Sequence, residues 1–321
     1  MTPSPSVVVV GGGTSDEHDV SLASAAGIAS ALDPARFTVT RLTIERDGSW
    51  SDAAGTPLTT ADAVAVLLAA DVLFPALHGT GGEDGAFAGF AQLLGLAAVG
   101  SPVRAGAIGM DKWTTKLVAR ELGLRVAAGE LVHASDAAPR HPLPLVVKPN
   151  TGGSSNGVSV VRTAAELRPA LELALADGGG ALLEEFQSGR ELDIAVLERA
   201  DGSLLVSPPL EISTPAGGVF GSDLKYGGQP PFTVPAEINP AGLVALEQAA
   251  LALFRALGCR GIGRFDFFLT ADGLVLNEVN TMPGFTPLSQ VPRMFAAARL
   301  SYAELVEELV LGALRPAPVT R

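Results

Sequence analysis

An acidic segment in residues 263–280 carries side chains that could bind a metal ion. Ala271–Gly273 is typical of a three-residue hairpin loop, with glycine where a positive φ is needed. In that register Asp266 lies opposite Glu278, and Arg264 lies opposite Asn280. Directly opposed side chains lie about 5 Å apart on one face, so the two carboxylates repel each other unless a cation lies between them.

Carboxylate and amide oxygens suit Mg²⁺, which also keeps water and phosphate oxygens as ligands. A two-residue loop would shift the pairing by one residue and separate Asp266 from Glu278, so this metal site requires the three-residue loop. The other face is predicted to pack on a core through Phe265, Phe267, Leu269, Val275 and Val279. The alternative is an ordinary exposed hairpin with its polar residues facing solvent.

A second candidate is the segment VVKPNTGGSSNGV at 146–158, where a strand lysine, Lys148, precedes a Gly/Ser loop. Successive backbone N–H groups in such a loop can form an anion-binding nest. The order differs from the Walker pattern, in which the lysine follows the glycines. A flexible hairpin with a solvated lysine is the alternative.

Two further segments could contact a nucleotide. Lys112 and Lys116 lie four residues apart in a predicted helix and therefore share a face, either toward phosphate or as a solvated basic surface. Residues 183–191 are predicted to form a strand that runs into a turn. Its backbone could pair with an adenine edge and Glu191 could bind ribose hydroxyls; the alternative is an acidic linker.

The elements that must position these residues begin with an α/β unit. A β-branched run, Val7–Val10, leads into three glycines and a helical pattern at 21–32. Strands at 37–44 and 72–75 and a helix at 86–94 complete an open, Rossmann-like α/β domain over residues 1–104, with a largely parallel sheet.

Two more units follow. Residues 105–189 are predicted to form a small α+β domain, with helices at 111–122 and 164–177 and strands at 130–132, 145–148, 159–162 and 181–186. Residues 190–321 are predicted to be mainly strands, with helices at 241–257 and 302–314. The Gly/Pro-rich stretch 215–235 is predicted to be a mobile loop.

Composition excludes several classes of protein. A net charge of −12 disfavours a nucleic-acid partner, which needs clustered Lys and Arg. The single cysteine, Cys259, forbids an intramolecular disulfide and is predicted to pack in a core. The N-terminus lacks a basic signal region, and the longest apolar stretch, 63–77, is too short to span a bilayer. We therefore expect a cytoplasmic protein with no membrane partner.

In order and spacing these segments resemble the ATP-grasp superfamily and, within it, the D-alanine–D-alanine ligase family. The resemblance covers the chain nearly from end to end. The segments that carry it are GGTSDEHDVSL (12–22), ALHGTGGEDGAF (76–87), MDK (110–112), VVKPNTGGSSNGV, LKY (224–226) and NEVNTMPGFTPLS (277–289). It implies an ATP-grasp fold that joins two D-alanine molecules through D-alanyl phosphate, using ATP, for peptidoglycan precursor synthesis.

The resemblance also implies substrate contacts. Glu17 would bind the amino group of the first D-alanine, with His78 close by. Ser289, followed by Gln290, would bind the second D-alanine through its carboxylate. Arg264 would stabilise the transferred phosphate and the tetrahedral intermediate, with the Gly284 backbone nearby.

For the nucleotide, the resemblance implies phosphate contacts from Lys112 and Lys148, and two Mg²⁺ or Mn²⁺ ions. The metal ligands would be Asp266, Glu278 and Asn280. Other nucleotide contacts would come from Ser154, Ser155, Glu184, Glu185, Gln187, Glu191 and Lys225. Ser154, Lys225 and Tyr226 would close the loop at 215–235 over the site. A homodimer is expected because relatives are commonly dimeric.

Three positions depart from the family pattern. The sequence GGQPPF follows the Lys225–Tyr226 pair where a more polar loop is usual. Gln187 stands where an apolar hinge residue is common, which a backbone contact would tolerate. Gln290 stands where Met or Leu is usual, which bears on selectivity for the second substrate.

Three other functions compete with this prediction. A related ligase could form D-Ala-D-Lac or D-Ala-D-Ser, but lactate-forming relatives usually lack the Lys225–Tyr226 pair. A non-catalytic nucleotide-binding module has no need of the paired carboxylates at 266 and 278. A nicotinamide dehydrogenase requires G-x-G-x-x-G spacing, which GGGTSD at 11–16 lacks.

Overall fold

The computed structural model describes residues 4–213 and 232–315. Within these ranges the chain forms three sheets with helices packed against them. Lys225, Tyr226 and most of the predicted loop at 215–235 lie outside the described residues.

The N-terminal sheet has the strand order β4-β3-β2-β1-β5, and the β1 strand pairs in parallel with both β2 and β5. The predicted parallel arrangement is therefore confirmed for three strands. The antiparallel edge pair β3–β4 was not predicted, because two- and three-residue strands carry too little periodicity to recognise. The strands are β1 Ser6–Gly12, β2 Thr38–Ile44, β3 Trp50–Asp52, β4 Pro57–Leu58 and β5 Val72–Pro75; the helices are α1 His18–Ala31, α2 Thr60–Leu68 and α3 Ala86–Leu93.

The central unit has an antiparallel sheet of order β6-β9-β7-β8. Its strands and two of its helices lie where the sequence predicts them. A further helix, α4, was not predicted; its sequence VRAGAIGM has two glycines, which disfavour helix. The strands are β6 Gly129–Val132, β7 Leu145–Pro149, β8 Ser159–Val161 and β9 Ala181–Glu185; the helices are α4 Val103–Met110, α5 Lys112–Glu121 and α6 Ala164–Ala174.

The C-terminal unit is an antiparallel sheet of order β13-β12-β10-β14-β15, with β11 also paired to β10. The β14–β15 pair is the predicted acidic hairpin. The strands are β10 Arg190–Glu198, β11 Leu204–Val206, β12 Leu210–Ile212, β13 Phe232–Thr233, β14 Ile262–Thr270 and β15 Gly273–Asn280; the helices are α7 Pro240–Leu257, α8 Gln290–Ala297 and α9 Tyr302–Leu314.

One core joins the N-terminal sheet to the C-terminal unit. Phe285, which follows the hairpin, has its ring centroid 6.1 Å from that of Phe74 on β5 and 6.0 Å from that of Tyr302 on α9. The Tyr302 hydroxyl donates a 2.8 Å hydrogen bond to the Phe285 carbonyl. The segment after β15 is thereby held against the N-terminal sheet.

A second core lies between α7 and the strands β10, β14 and β15. Cys259 is buried in it as predicted, and burial raises the pKa of its thiol to about 12. Among the described residues, α7 is the one helix long and apolar enough to cross a membrane. The face of α7 that carries Leu246 and Leu253 is fully buried against this core. A core helix can therefore be as long and as apolar as a membrane-spanning one.

Candidate active site

The hairpin pairs Asp266 with Glu278 and Arg264 with Asn280, as predicted, but its loop differs from the predicted one. Thr270 pairs with Gly273, so the loop has two residues rather than the expected three. A β-bulge then places Phe267 opposite Leu276 and Asp266 opposite Glu278, leaving Asn277 as the extra residue. The prediction that the site requires a three-residue loop is therefore wrong, because the bulge compensates for the shorter loop.

The bulge also changes which residues face the core. Leu276 and Leu274 pack in the second core beside Phe267 and Leu269. Val275 pairs with Phe268 on the opposite face, so its predicted face is wrong, although its side chain is buried as expected. The alternation resumes after Asn277, where Val279 returns to the core.

Three carboxylates form one row across neighbouring strands. Asp193 of β10 pairs with Asp266 of β14, which pairs with Glu278 of β15. The Arg264 guanidinium donates from Nε and Nη2 to Asp266, at 2.8 Å each, and its Nε lies 3.8 Å from Asp193. Burial opposes the charge on Arg264, but the Asp266 and Asp193 carboxylates outweigh it and raise the pKa of the guanidinium. The sequence did not indicate Asp193, because it lies on another strand.

Asn280 and Lys112 complete this end of the site. Asn280 Nδ2 donates a 3.1 Å hydrogen bond to Asp266, and Lys112 Nζ lies 3.7 Å from a Glu278 oxygen. Burial lowers the pKa of Lys112, against the opposing effect of Glu278. The helix that carries Lys112 begins at the Asp111 cap, whose side chain accepts from the Thr114 N–H at 2.7 Å.

Two lysines share one buried carboxylate behind the hairpin. Glu184 lies 2.6 Å from Lys116 Nζ and 2.8 Å from Lys148 Nζ, and Lys148 also donates to Asn277 Oδ1 at 3.1 Å. Burial disfavours ionisation of Glu184, but the two lysines outweigh it and lower its pKa. Burial lowers the pKa of Lys116 to about 8. Lys116, which could have been a solvated basic residue, instead faces into the site with 1% of its surface exposed.

The Gly/Ser loop curves over this group. Ser154 and Ser155 have φ values of 52° and 59°, a left-handed conformation that non-glycine residues rarely adopt. Lys112 Nζ donates to the Gly152 carbonyl at 2.7 Å, and the Ser154 hydroxyl donates to Glu17. The loop therefore connects the lysine side of the site to the residue predicted to bind the first substrate.

Glu17 and His78, both from the N-terminal unit, lie together in the site. His78 is buried; its Nε2 lies 2.9 Å from Ser24 Oγ and its Nδ1 lies 3.0 Å from the Met282 carbonyl. Burial acts to lower the pKa of His78, but the Glu83 carboxylate, 3.4 Å from Nδ1, outweighs it and raises the pKa. No role was predicted for Glu83 from the sequence, although the segment 76–87 contains it.

Ser289 and Gly284 lie before α8, in a segment that reaches back to His78: the Ser24 hydroxyl, 2.9 Å from His78 Nε2, accepts a 3.3 Å hydrogen bond from the Phe285 N–H. Ser289 Oγ accepts a 3.0 Å hydrogen bond from the Thr286 N–H and lies 2.8 Å from the Thr286 hydroxyl. A Cβ on Gly284 would meet Ser289 Oγ at 3.4 Å, so backbone and hydroxyl approach closely here. Gln290 bonds to Arg264 and Asp193.

The hinge between β9 and β10 carries Gln187, whose Nε2 donates to the Glu185 carbonyl at 3.1 Å. The Glu185 carboxylate lies 3.4 Å from His141 Nδ1. Glu185, Gln187 and Glu191 line the same cavity as the phosphate-binding candidates.

A single cavity of about 1080 Å³ gathers the predicted site. Seventeen of the nineteen predicted site residues line it, and the remaining two, Lys225 and Tyr226, lie outside the described residues. The residues that line it are Glu17, His78, Lys112, Lys148, Ser154, Ser155, Glu184, Glu185, Gln187, Glu191, Arg264, Asp266, Glu278, Asn280, Gly284, Ser289 and Gln290. Lys116, one of the two predicted helix lysines, also lines it, as do Asn277, Asp193, Glu83 and Arg293, which were not assigned roles from the sequence.

The lysines come from the central α+β unit, and the carboxylate row with Arg264 comes from the antiparallel C-terminal sheet. With the open α/β unit in front, they define an ATP-grasp ligase. The chain belongs to the D-alanine–D-alanine ligase family: residues 6–101 match the D-ala D-ala ligase N-terminus and residues 129–311 match the D-ala D-ala ligase C-terminus.

Individual relatives agree with this assignment. The chain is 40% identical to a D-alanine–D-alanine ligase of Corynebacterium urealyticum, across 96% of this chain and 98% of that protein. It is 39% identical to one from Mycolicibacterium gilvum, across 96% of each. Among solved structures, the VanG D-Ala:D-Ser ligase from Enterococcus faecalis has a TM-score of 0.85 at 29% identity and covers 97% of this chain and 100% of that one. The Bacillus anthracis D-alanine–D-alanine ligase complexed with ATP has a TM-score of 0.81 at 25% identity, over 98% and 99%.

Proposed function

We propose that this chain joins two D-alanine molecules with ATP, through D-alanyl phosphate, and releases D-Ala-D-Ala, ADP and phosphate for peptidoglycan precursor synthesis. The observation that carries the proposal is the arrangement along one cavity. Glu17, His78 and Ser289 line the same cavity as Lys148 and the Asp266–Glu278 pair, and the Ser24 hydroxyl links His78 to the segment that carries Gly284 and Ser289.

The chemistry requires an activated carboxylate, because a free carboxylate is a poor electrophile. Lys112 and Lys148 bind the phosphate groups and reduce the charge repulsion as the terminal phosphoryl group moves to D-alanine. Arg264 is held with its charge facing the cavity and stabilises the negative charge that develops at the reacting centre. Its raised pKa keeps it protonated throughout.

The metal-binding residues fit a hard divalent cation. Asp266, Glu278 and Asn280 supply oxygen donors on one face of paired strands, and the surplus of carboxylates in the row leaves negative charge to neutralise. Among the described residues no group of three His, Cys, Asp or Glu side chains is suited to hold a metal alone. We therefore propose that Asp266, Glu278 and Asn280 would hold Mg²⁺ or Mn²⁺ only together with bound ATP, and the ion would neutralise phosphate charge.

The first D-alanine becomes the acyl phosphate, and the second D-alanine binds beside it. Glu17 takes the ammonium group of the first, and the Ser154 hydroxyl holds the Glu17 carboxylate in place. Ser289 takes the carboxylate of the second, so that its amine attacks near Arg264 and the Gly284 backbone. A cytoplasmic location and a homodimer are part of this proposal, as the family resemblance implies.

The decisive experiment measures ADP release with D-Ala alone, with D-Ala plus D-Ser and with D-Ala plus D-lactate, each with and without Mg²⁺. We expect D-Ala alone to stimulate ADP formation in the presence of Mg²⁺ and the product to be D-Ala-D-Ala by mass. If no combination stimulates ADP release, the ligase proposal fails. Preferred formation of D-Ala-D-Ser would instead assign the chain the activity for which the VanG ligase is named.

A further inference from the structure

The Gln290 side chain joins two charged groups that lie on neighbouring strands. Its Oε1 accepts a 2.8 Å hydrogen bond from Arg264 Nη1 on β14. Its Nε2 donates a 2.7 Å hydrogen bond to Asp193 Oδ2 on β10. Asp193 is 2% exposed, so this contact is made away from solvent.

An amide is suited to this position because it can accept at one end and donate at the other. Asp266 already accepts from Arg264 Nε and Nη2, and within the described part of the chain the acceptor for Nη1 is Gln290 Oε1. A leucine at 290 would remove an acceptor from a buried guanidinium and a donor from a buried carboxylate. Buried charged groups that lose a partner are costly, so the guanidinium would turn toward Asp193 to recover one.

The backbone of Gln290 is held firmly enough to make this contact specific. Gln290 is the first residue of α8, directly after the Ser289 cap. The same helix buries Met294 and Phe295 completely, and Ser207 Oγ lies 3.4 Å from the Met294 sulfur. The amide is therefore presented to β10 and β14 by a helix that is anchored in the core.

We propose that Gln290 is a positioning residue that orients the Arg264 guanidinium for the ligation reaction by coupling it to Asp193. The proposal rests on the proposed function, because Arg264 matters only if charge develops beside it. It differs from the expectation that Gln290 itself contacts substrate, since both ends of its amide bond to protein side chains. Ser289 is left as the adjacent group for the second carboxylate.

The test uses four variants of the full chain: Gln290→Leu, Gln290→Glu, Asp193→Asn and the double variant D193N/Q290E. Gln290→Leu is expected to lower kcat about tenfold to a hundredfold, the range found for residues that hold a site residue in place. KM for ATP should stay within about twofold, because only interactions strengthened in the transition state change kcat selectively. Gln290→Glu and Asp193→Asn should also lower kcat, since each changes the charge around Arg264.

The double variant separates positioning from substrate contact, because it exchanges the roles of the two side chains. The amide introduced at position 193 donates, the carboxylate introduced at position 290 accepts from that amide and from Arg264, and the net charge is unchanged. We expect kcat to return to within about threefold of wild type, because the effects of substitutions at two residues in contact are not additive. A kcat as low as that of Gln290→Glu alone, or a wild-type kcat in Gln290→Leu, would overturn the proposal.

Gln248→Leu on α7, whose side chain is exposed, is the matched control and should leave kcat unchanged. Wild-type turnover in the same assay tests the proposed function separately. If the wild type is inactive, thermal unfolding of the same four variants still decides the contact. Non-additive changes in melting temperature at positions 193 and 290 support the contact between Gln290 and Asp193, and additive changes refute it.

Discussion

Asp266 faces Glu278 across the β14–β15 hairpin only because Asn277 is left out of the pairing. With a two-residue loop, regular pairing would place Asn277 opposite Asp266 and turn Glu278 to the core face. The bulge absorbs this one residue and brings Asn277 to Lys148, whose Nζ donates to its Oδ1 at 3.1 Å. One irregularity therefore positions both a metal-ligand candidate and a phosphate-binding lysine.

Removing the charge of Glu278 should abolish catalysis without unfolding the protein. Glu278→Gln keeps the size of the side chain but removes a hard anionic ligand, so turnover should fall by at least about a hundredfold. ADP release and the melting temperature are the measurements. Asp272→Asn at the exposed tip of the same hairpin is the matched control and should retain turnover. Wild-type turnover in Glu278→Gln would remove the metal role.

Deleting Asn277 should be tolerated by the fold. The deletion leaves Leu276 opposite Phe267 and Glu278 opposite Asp266 in a regular ladder, but Lys148 loses a hydrogen bond. We expect a melting temperature near that of wild type and an increase in KM for ATP of about tenfold.

Deleting Val275 is the matched control, since the ladder can then close only with Asn277 opposite Phe267 in the core and Leu276 on the cavity face. That variant should unfold at a lower temperature than the Asn277 deletion. Equal destabilisation by both deletions would contradict the role given to the bulge.

Lys116 should give ATP binding an alkaline limit near pH 8. Burial lowers the pKa of Lys116 to about 8, so above that pH the ammonium that pairs with Glu184 is lost. Among the described residues, Lys148 is then the one cation left in an ion pair with Glu184. We expect KM for ATP to rise with pH through about 8 in wild type. In Lys116→Arg the rise should be absent, because a guanidinium stays protonated.

A loss of folding stability caused by Lys116 would not explain this alkaline limit on ATP binding. The pKa of Lys116 is about 8 in the folded chain and 10.5 for the free side chain. Between these values the unfolded chain binds more protons, so the contribution of Lys116 to the free energy of unfolding increases with pH. A melting temperature that falls in step with the loss of ATP affinity would therefore refute this account.

Glu17 should determine affinity for D-alanine and leave ATP affinity unchanged. Glu17→Gln keeps an acceptor for the Ser154 hydroxyl but removes the negative charge that binds an ammonium group. We expect KM for D-alanine to rise about tenfold to a hundredfold, because that factor corresponds to the free energy of a hydrogen bond to a charged group. KM for ATP should stay unchanged. Steady-state kinetics with each substrate varied in turn measure both constants. Asp16→Asn, exposed one residue earlier, is the control; an equal effect from it would argue against a specific contact.

Much of the fold was predictable because local patterns specify it. The β-branched run before three glycines, the apolar spacing of α7 between Asn239 and Gly258, and the alternation along β14 depend on residues near one another in the chain. The predicted pairing of Asp266 with Glu278 was also correct. A three-residue loop would give it by regular pairing, and the two-residue loop gives it because the bulge leaves out Asn277.

Tertiary structure decided the electrostatic partners. Glu184 holds both Lys116 and Lys148, and Gln290 joins Asp193 to Arg264, although these residues come from distant segments of the chain. The sequence alone specifies which residues are charged and which strand or helix carries them. Whether a charged residue is a solvated surface group or part of the site depends on its burial and on the partner that the fold places beside it, since the energy of a charge depends on both.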